Sequence, residues 1–581
     1  MGMLDVLIRG GAVYDGTGAP GVLADVAVRD GKIEAVGALA GAQAKRVVDA
    51  RGKAVTPGFI DMHSHGDLTL AFYPEMESVV RQGVTTIVGG QCGLTAAPCD
   101  AWWVGQYFDW AQLAELGGDA FRPPVLARPD ALSPLMRRDF GRAIDWRTFG
   151  EFLSAVQRTG LGANYVPLVG HGAIRAQVMG QDFRRPATDE EIERMRAYLV
   201  DALDAGAAGM SAGLDYEPGI WCDFRELKAL CETLAARGGL YAPHWRKTGL
   251  REGTPRRQKK IDGIKEALEL GLQTGVQVHL AHLTNGFDVY PADGAMSAAA
   301  ARRTLEVIDG YRQKGVRVTH DVIPNITGGI LLAPDLAMSF LQWLRPCGTR
   351  EQFAQNLRSK TYRAQIAQDV YAGRCYEVNP LVDPDWAAAY TVLRHKNAAY
   401  EGWNLRALAD AQGREPLDMA LELLEQDPYT KTFQTVQGMT EESVRVFIGD
   451  EHGVIGSDTF AFDGSAVIPQ GEGMPAYLPN PNTYCAFVRY LCRYPQETFE
   501  KTIQKVTGQP AQILGLGDRG VLAAGKRADV LVIDRENLRT NENHIDPRVW
   551  PQGVEYVFVG GEAAVWAGEA TGARAGQIIK K

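Results

Sequence analysis

Hydrophobic and polar positions alternate in two ways along the chain, and the change between them divides it into regions. Short apolar runs separated by glycines and Asp-Gly turns fill the first 58 residues and return near the end, in RGVLAAGKRADVLVID and VEYVFVGGEAAVWAGEA. This pattern is typical of strands joined by hairpins. Neither terminal part is long enough to bury a core alone, and chain termini commonly lie close together. We therefore expect one small β-sandwich formed by residues 1–58 and 510–581.

Between these parts, strand-like runs alternate with helical ones. TTIVGG, LYAPHW, VQVHLAH and VRVTHDVIP are short and apolar, whereas TDEEIERMRAYLVDALDAGA has helical periodicity and begins with an N-cap candidate, Thr188. Such alternation is typical of parallel α/β domains, and residues 59–509 can accommodate a (β/α)8 barrel. Residues 97–148, rich in Trp and Pro, and residues 335–445, largely helical, are interpreted as insertions. The predicted fold class is α/β, a (β/α)8 TIM-like barrel inserted into a small β-sandwich.

Composition excludes several classes of protein. The 581 residues carry a formal net charge of −9 without a concentrated basic block, so neither nucleic acid nor an anionic membrane is an expected partner. The N-terminal sequence lacks signal-peptide features, and no apolar run approaches the ~18 residues that a membrane span needs. Eight thinly spread cysteines indicate reduced thiols, so we expect a cytoplasmic protein. The sequence leaves homo-oligomerisation open.

Six potential metal ligands follow five strand-like runs. They are His63, His65, Cys92, His244, His282 and Asp458. The first two form an H-x-H pair, and side chains two residues apart on a strand point to the same face. A single histidine at a strand end is more often structural, but six N, S and O donors at strand ends indicate one site. Imidazole and thiolate together favour zinc over magnesium or calcium, with one or two ions per chain.

The sequence resembles the amidohydrolase superfamily and, within it, the D-aminoacylase (N-acyl-D-amino-acid deacylase) group. The resemblance is carried, in the expected order over nearly the whole chain, by PGFIDMHSHGD, RQGVTTIVGGQCGLTAAP, LVGHGAIRAQVMG, GAAGMSAGLDYEPG, LYAPHWRKTG, VQVHLAHLTNG, GVIGSDT and GDRGVLAAGKRADVLVID. It implies that Cys92, His244 and His282 bind the principal zinc ion. The other three residues would form a weaker metal position, and Asp458 would also be the catalytic acid/base. A metal-bound hydroxide would then attack the carbonyl of a small-molecule amide.

The substrate-binding positions of this group are altered in the chain. Thr284 stands where the group has a lysine and Asn482 where it has an arginine, while Ile323 and Gly329 replace a tyrosine and a serine. A buried carboxylate without a partner costs several kcal/mol. We therefore infer a substrate without a free α-carboxylate at this place. The candidate substrate contacts are Arg246 (a replacement cation), Thr284, Asn325, Asn482 and His171.

Three alternatives stay open. The chain could be an N-acyl-D-amino-acid deacylase with a rearranged carboxylate site, or a hydrolase of a cyclic amide such as a lactam, imide or hydantoin. A non-catalytic binding protein on the same fold would be expected to have lost ligands, and all six are present. The helical insertion and the aromatic segment AWWVGQYFDW are expected to cover the barrel mouth, where they would favour an apolar or aromatic substrate group.

Overall fold

The structure is a computed structural model that describes residues 3–105, 125–247, 259–290, 293–375, 377–436, 438–468 and 474–581. Its strands are β1 (Leu4–Val13), β2 (Val22–Arg29), β3 (Lys32–Gly37), β4 (Ala44–Asp49), β5 (Ala54–Pro57), β6 (Phe59–Asp61), β7 (Val84–Gly89), β8 (Trp103–Gly105), β9 (Val125–Ala127), β10 (Asn164–Pro167), β11 (Val169–Gly170), β12 (Gly209–Gly213), β13 (Leu240–His244), β14 (Gln277–Leu280), β15 (Val318–Val322), β16 (Leu331–Leu332), β17 (Tyr390–Arg394), β18 (Lys431–Gln434), β19 (Gly453–Ile455), β20 (Leu478–Pro479), β21 (Val530–Ile533), β22 (Val554–Val559), β23 (Glu562–Trp566) and β24 (Glu569–Ala570). Its α-helices are α1 (Glu77–Val80), α2 (Pro129–Phe140), α3 (Phe149–Thr159), α4 (His171–Met179), α5 (Asp189–Ala205), α6 (Phe224–Ala236), α7 (Lys260–Thr274), α8 (Gly294–Arg312), α9 (Leu341–Cys347), α10 (Arg350–Asn356), α11 (Lys360–Tyr371), α12 (Leu405–Ala411), α13 (Pro416–Gln426), α14 (Glu441–Gly449), α15 (Asn482–Arg493), α16 (Phe499–Gln504) and α17 (Gly508–Leu514). Short 3₁₀ helices cover Gly66–Leu68, Gly180–Asp182, Gly219–Trp221, Leu336–Phe340, Trp386–Ala389 and Ala398–Tyr400.

The two ends of the chain form one nine-stranded sheet. Its order is β24-β23-β22-β21-β5-β1-β2-β3, with β4 paired to β1. The N-terminal and C-terminal parts meet in the antiparallel pair of β5 and β21, where Val55 lies opposite Val532. Apolar side chains from both parts, including Ile8, Val28 and Phe558, pack into one buried cluster. These strands and their buried cluster therefore form the β-sandwich that the sequence predicts. We propose that this domain comprises residues 1–58 and 510–581.

Strand β21 joins the sandwich to the rest of the molecule. Val530 and Val532 belong to the sandwich core, whereas Leu531 and Ile533 pack into the large cluster of the central domain. Successive side chains of a strand point to opposite faces, so one short apolar strand contributes to both cores. This explains why β21 lacks the polar alternation of a half-exposed strand: all four residues are buried.

Parallel strands form the barrel. One sheet has the order β10-β7-β6 and the other β11-β12-β13-β14-β15-β19, so β10 and β11 together occupy one of eight positions. Leu168 links these two strands, and its N–H donates to the carbonyl of Gly89 at 3.0 Å. The other junction is closed by a hydrogen bond of 3.2 Å from the Met62 N–H to the Ile455 carbonyl. The predicted fold class is confirmed.

The helices between the barrel strands follow the sequence pattern. Helix α5 begins where the sequence predicts it, because the Thr188 side chain accepts a hydrogen bond from the Glu191 N–H at 3.3 Å and caps the first turn. Its buried side chains include Ile192, Met195 and Leu199, which share one face at helical spacing. Within the described ranges, no helix has both the length and the apolar character required to cross a membrane.

Two long segments interrupt the barrel pattern. The first contains β8 and β9, which pair antiparallel, followed by α2. Residues 106–110 of AWWVGQYFDW lie outside the described residues. The second segment lies between β15 and α14, and its described part contains α9 to α13 and the antiparallel strand pair β17–β18. Residues of this second segment, among them Trp386 and Tyr390, line a cavity together with His244 at the carboxyl end of β13.

Candidate metal centre

Six side chains converge at the carboxyl ends of five barrel strands. They are His63 and His65 after β6, Cys92 after β7, His244 at the end of β13, His282 after β14 and Asp458 after β19. Their donor atoms form two groups that share Cys92, one with His63, His65 and Asp458 and one with His244 and His282, and the atoms of each group lie within 4.8 Å of one another. All six residues predicted as ligands are thus brought together.

The Cys92 sulfur lies at the centre of this arrangement. Its distances are 3.4 Å to Nε2 of His63, 3.6 Å to Nδ1 of His244 and 3.3 Å to Nε2 of His282. In tetrahedral zinc coordination, with bonds of about 2.3 Å to sulfur and about 2.0 Å to nitrogen, neighbouring S and N ligands are about 3.6 Å apart. The spacing of these donors therefore fits a zinc ion held by sulfur and imidazole.

The second group has unsatisfied polar atoms. Oδ1 of Asp458 lies 3.1 Å from Nε2 of His65 and 3.4 Å from Nε2 of His63. Within the described part of the chain, neither Asp458 Oδ1 nor His65 Nε2 has a hydrogen bond of acceptable geometry, although both are buried. Buried polar atoms without partners cost about 1–3 kcal/mol each. A cation among these donors would satisfy both atoms at once.

Electrostatics favours the metal-binding forms of two ligands. Burial opposes ionisation of the Cys92 thiol, but His63 and His282 outweigh that effect and hold the pKa of Cys92 well below its usual value. Burial, together with the charges of Lys247 and His282, lowers the pKa of His244 to about 4. The site therefore offers a thiolate and a neutral imidazole near neutral pH, and these are the forms that coordinate metal ions.

Three of the six residues have a backbone conformation that L-amino acids rarely adopt. The φ angles are 56° for Cys92, 31° for His282 and 53° for Asp458. Such conformations cost about 1–3 kcal/mol and persist only where the surroundings hold them. At Cys92 the surroundings include the Tyr216 hydroxyl, which donates to the Cys92 carbonyl at 2.7 Å. Gly213 allows this close approach, since a Cβ there would lie 2.2 Å from the same carbonyl oxygen.

Two buried carboxylates beside the ligands were missed by the sequence analysis. Asp61 accepts hydrogen bonds from the main-chain N–H of His63 at 3.1 Å and of Ser457 at 2.9 Å, and burial raises the pKa of Asp61 to about 7 against these bonds. Asp321 lies 3.3 Å from His63 Nδ1 and accepts from the His282 N–H at 2.9 Å. The available signal was an acidic residue inside an apolar barrel strand, as in GFID and VTHDV.

A cavity of about 310 Å³ adjoins His244. Barrel residues Tyr216 and Thr284 line it together with residues of the second inserted segment, such as Trp386 and Tyr390. Five of its described lining residues carry charge: Asp215, Lys247, Lys260, Glu377 and Asp383. The helical insertion therefore lines the cavity, as expected, and it contributes the aromatic residues Trp386 and Tyr390 as well as the charged residues Glu377 and Asp383.

Arg246, predicted as a replacement cation for the substrate, is directed to other partners. Its guanidinium lies 3.0 Å from the Glu266 carboxylate and donates to the Ile220 carbonyl at 2.7 Å, and the residue is buried. Partners from segments distant in sequence, Glu266 and Ile220, thus hold the guanidinium, and no local sequence pattern reveals them. Among the described residues of the cavity wall, the cations are Lys247 and Lys260.

The side chains of His171 and Asn482, also predicted to contact the substrate, bind other side chains of the protein. His171 Nε2 lies 2.7 Å from the Glu226 carboxylate, and both residues are fully buried. Asn482, buried at the start of α15, accepts hydrogen bonds from Asn325 at 2.6 Å and from Arg489 at 2.7 Å. These two asparagines thus link α15 to the loop after β15. Of the predicted substrate contacts, Thr284 lies on the cavity wall.

Comparisons with known proteins agree with this geometry. The chain matches the model of the amidohydrolase family over residues 46–121 and 393–565. A D-aminoacylase of Alcaligenes xylosoxydans xylosoxydans is 28% identical over 99% of this chain and 98% of its own length. The crystal structure of a D-aminoacylase that defines a novel subset of amidohydrolases superposes with a TM-score of 0.69 at 27% identity, covering 100% of both chains. The N-acyl-D-glutamate deacylase of Bordetella bronchiseptica, complexed with zinc and a phosphonate mimic of the tetrahedral intermediate, gives a TM-score of 0.68 at 26% identity over 100% of both chains.

Replacing Cys92 tests the candidate metal centre. Because its sulfur is shared by both donor groups, Cys92→Ser should weaken zinc binding by at least about 100-fold, more than the loss of a group that only supports a ligand. Elemental analysis and competition with a chromophoric chelator measure this. Cys99→Ser is the matched control, since Cys99 is buried, its thiol has a pKa raised by burial to about 12, and it belongs to neither donor group. Normal zinc content in Cys92→Ser would exclude this sulfur as a ligand.

Proposed function

Since the chain belongs to the amidohydrolase superfamily, in the D-aminoacylase group, we propose that it hydrolyses an amide C–N bond of a small molecule with the help of zinc. The observation that carries this proposal is the donor set itself: one thiolate, four imidazoles and one carboxylate, gathered in two groups at the carboxyl ends of parallel strands. Catalytic residues of barrel enzymes lie at this end of the barrel. The adjoining cavity provides room for a small substrate.

We assign the principal zinc position to Cys92, His244 and His282. The other group, His63 and His65 with Asp458, is assigned to a weaker position. When bound, zinc acidifies a water molecule and polarises the amide carbonyl. A three-residue set leaves a coordination position for substrate or water, which is the pattern of catalytic rather than structural zinc sites.

Asp458 is the group that we assign to proton transfer. Its side chain is 11% exposed and lies beside the imidazoles of His63 and His65, within the donor set where we place the attack on the carbonyl. Asp458 accepts the proton of the attacking water and then delivers it to the departing nitrogen. The second step is essential because an amide anion is a very poor leaving group.

The substrate is proposed to lack a free α-carboxylate next to Asp458. Thr284 on the cavity wall is neutral, and the Asn482 amide is occupied inside the protein. Gly329 leaves no room for a side chain, since a Cβ there would lie 2.1 Å from Asp458 Oδ2. The loop after β15 therefore fills the place where the related deacylases are expected to hold a carboxylate, and it offers no cation there.

A second candidate is an N-acyl-D-amino-acid deacylase with a rearranged carboxylate site. Lys247 supports it, because this residue lies on the cavity wall with His244 and its charge contributes to the lowered pKa of His244. An ammonium group on this cavity wall could pair with a substrate carboxylate. The two candidates differ in substrate and share the same chemistry.

Asp458→Asn tests the proton-transfer role. The variant should retain the principal zinc ion, whose proposed ligands are untouched, and lose about 10²- to 10⁴-fold in kcat, the usual contribution of general acid–base catalysis. Release of the amine product and zinc content are measured on the same sample. Turnover within threefold of the wild type would remove Asp458 from this role.

A substrate panel distinguishes the two candidates. N-acyl-D-amino acids are compared with their carboxamides and with cyclic amides by kcat/KM for amine release. We expect the carboxamides to be better substrates, because neither Thr284 nor the loop after β15 supplies a cation to compensate the desolvation of a carboxylate there. A preference for the free acids that is lost in Lys247→Met would instead establish the second candidate.

Gly329→Ser tests whether the loop after β15 fills the place where the related deacylases are expected to hold a substrate carboxylate. The new side chain must displace Asp458 or the loop, so kcat should fall by at least tenfold and free acids should gain nothing. Gly310→Ser on α8 is the control, because a Cβ at Gly310 meets no atom within 4 Å. Efficient hydrolysis of free acids by Gly329→Ser would show that the site accepts the serine of the deacylases.

A further inference from the structure

The carboxylate of Asp321 contacts two proposed zinc ligands at once. Asp321 lies on β15, fully buried inside the barrel. Its Oδ2 is 3.3 Å from His63 Nδ1, and its Oδ1 accepts a hydrogen bond of 2.9 Å from the main-chain N–H of His282. His63 belongs to the weaker metal position and His282 to the principal one. A single side chain therefore joins the two positions.

The contact with His63 determines which imidazole nitrogen faces the donors. Nε2, on the other side of the ring, lies 3.4 Å from both Cys92 Sγ and Asp458 Oδ1. An ionised carboxylate only accepts hydrogen bonds, so Asp321 requires the proton on Nδ1. The lone pair of Nε2 is then directed to the metal position, which is the tautomer that ligation needs.

The contact with His282 holds a strained segment of main chain. His282 has a φ of 31°, and its amide and that of Leu283 are both bound by Asp321. The Asp321 side chain accepts from the His282 N–H, while the Asp321 carbonyl accepts from the Leu283 N–H at 2.8 Å. Strained residues persist only where neighbouring groups fix them. Asp321 supplies that restraint on the principal position.

The surroundings of Asp321 leave it little freedom. At Gly456 a Cβ would lie 2.8 Å from Asp321 Oδ1 and 2.5 Å from the His63 Cβ, so only glycine admits this carboxylate–imidazole pair. On the other side, His279 Nε2 lies 3.2 Å from Asp321 Oδ2, and His279 Nδ1 lies 2.8 Å from the Thr319 hydroxyl. The carboxylate is thus held between two imidazoles in a fixed orientation.

We propose that Asp321 is the positioning residue of the metal centre. Its side chain orients the ring of His63 and also holds the main chain of His282 in place. This inference rests on one part of the proposed function, namely that the six donors bind metal. It does not depend on the substrate or on hydrolysis. It predicts that the two metal positions respond differently to two substitutions at the same residue, because the side-chain contacts to His63 and to His282 use different oxygens.

Zinc affinity and cobalt spectra of Asp321→Asn and Asp321→Ala test the proposal. An asparagine can still accept from the His282 N–H, but its amide group then faces His63 Nδ1 and disfavours the required tautomer. Binding at the weaker position should therefore fall about 10- to 100-fold, while the thiolate-to-cobalt charge-transfer band of the principal position stays. Asp321→Ala removes both contacts, so both positions should weaken and the band should diminish.

Asp529→Asn is the matched control. Asp529 is a buried carboxylate that accepts hydrogen bonds from the Gly560 N–H at 2.7 Å and from the Asn164 amide at 3.1 Å, away from the donors. Its loss should lower Tm without changing zinc affinity. Wild-type affinity at both positions in Asp321→Asn, or equal loss of zinc in Asp529→Asn, would overturn the proposal. Zinc binding is measured without substrate, so the result can be interpreted even if the protein does not hydrolyse the proposed amides.

Discussion

The hydrogen bonds between the first and last barrel strands close the barrel, and the metal centre depends on this closure. Met62 donates to the Ile455 carbonyl at 3.2 Å, and the Asp458 N–H donates to the His63 carbonyl at 2.8 Å. The second bond joins the main chains of two proposed ligands from opposite ends of the barrel sequence. Because all barrel strands are parallel, the remaining donors lie on the same rim. Closure of the barrel thus places His63 and Asp458 side by side.

Groups that would be unfavourable elsewhere keep this centre in place. Asp61 and Asp321 are carboxylates buried among apolar strands, and Cys92 and His282 have left-handed backbone conformations. Each is held by hydrogen bonds to a neighbouring strand end or loop, and these bonds restrict the positions of the donors. Packing of the surrounding barrel core offsets the unfavourable contribution of these groups to the free energy of folding. Rigid donors beside a polar cavity are what a hydrolytic centre requires.

The sequence located the donors because each follows a recognisable apolar strand, and strand ends of a barrel share one rim. It could not locate Asp321, whose role depends on the pairing of β15 with β14 and on closeness to β6, which are contacts between distant segments. It assigned Arg246 to the substrate, whereas Lys247 lines the cavity and Arg246 pairs with Glu266, a contact between distant segments. The polarity of the cavity depends on how the inserted helices fold over the rim, which no local pattern encodes.

X-ray absorption at the zinc edge of the purified protein measures the ligand set most directly. If Cys92 and the imidazoles around it bind zinc, the spectrum should show one sulfur neighbour at about 2.3 Å and nitrogen or oxygen neighbours at about 2.0–2.1 Å. The same spectrum from zinc-loaded protein would contradict this assignment if it showed only oxygen and nitrogen neighbours. In that case Cys92 would not be a zinc ligand, and the arrangement of donors around its sulfur would need another explanation.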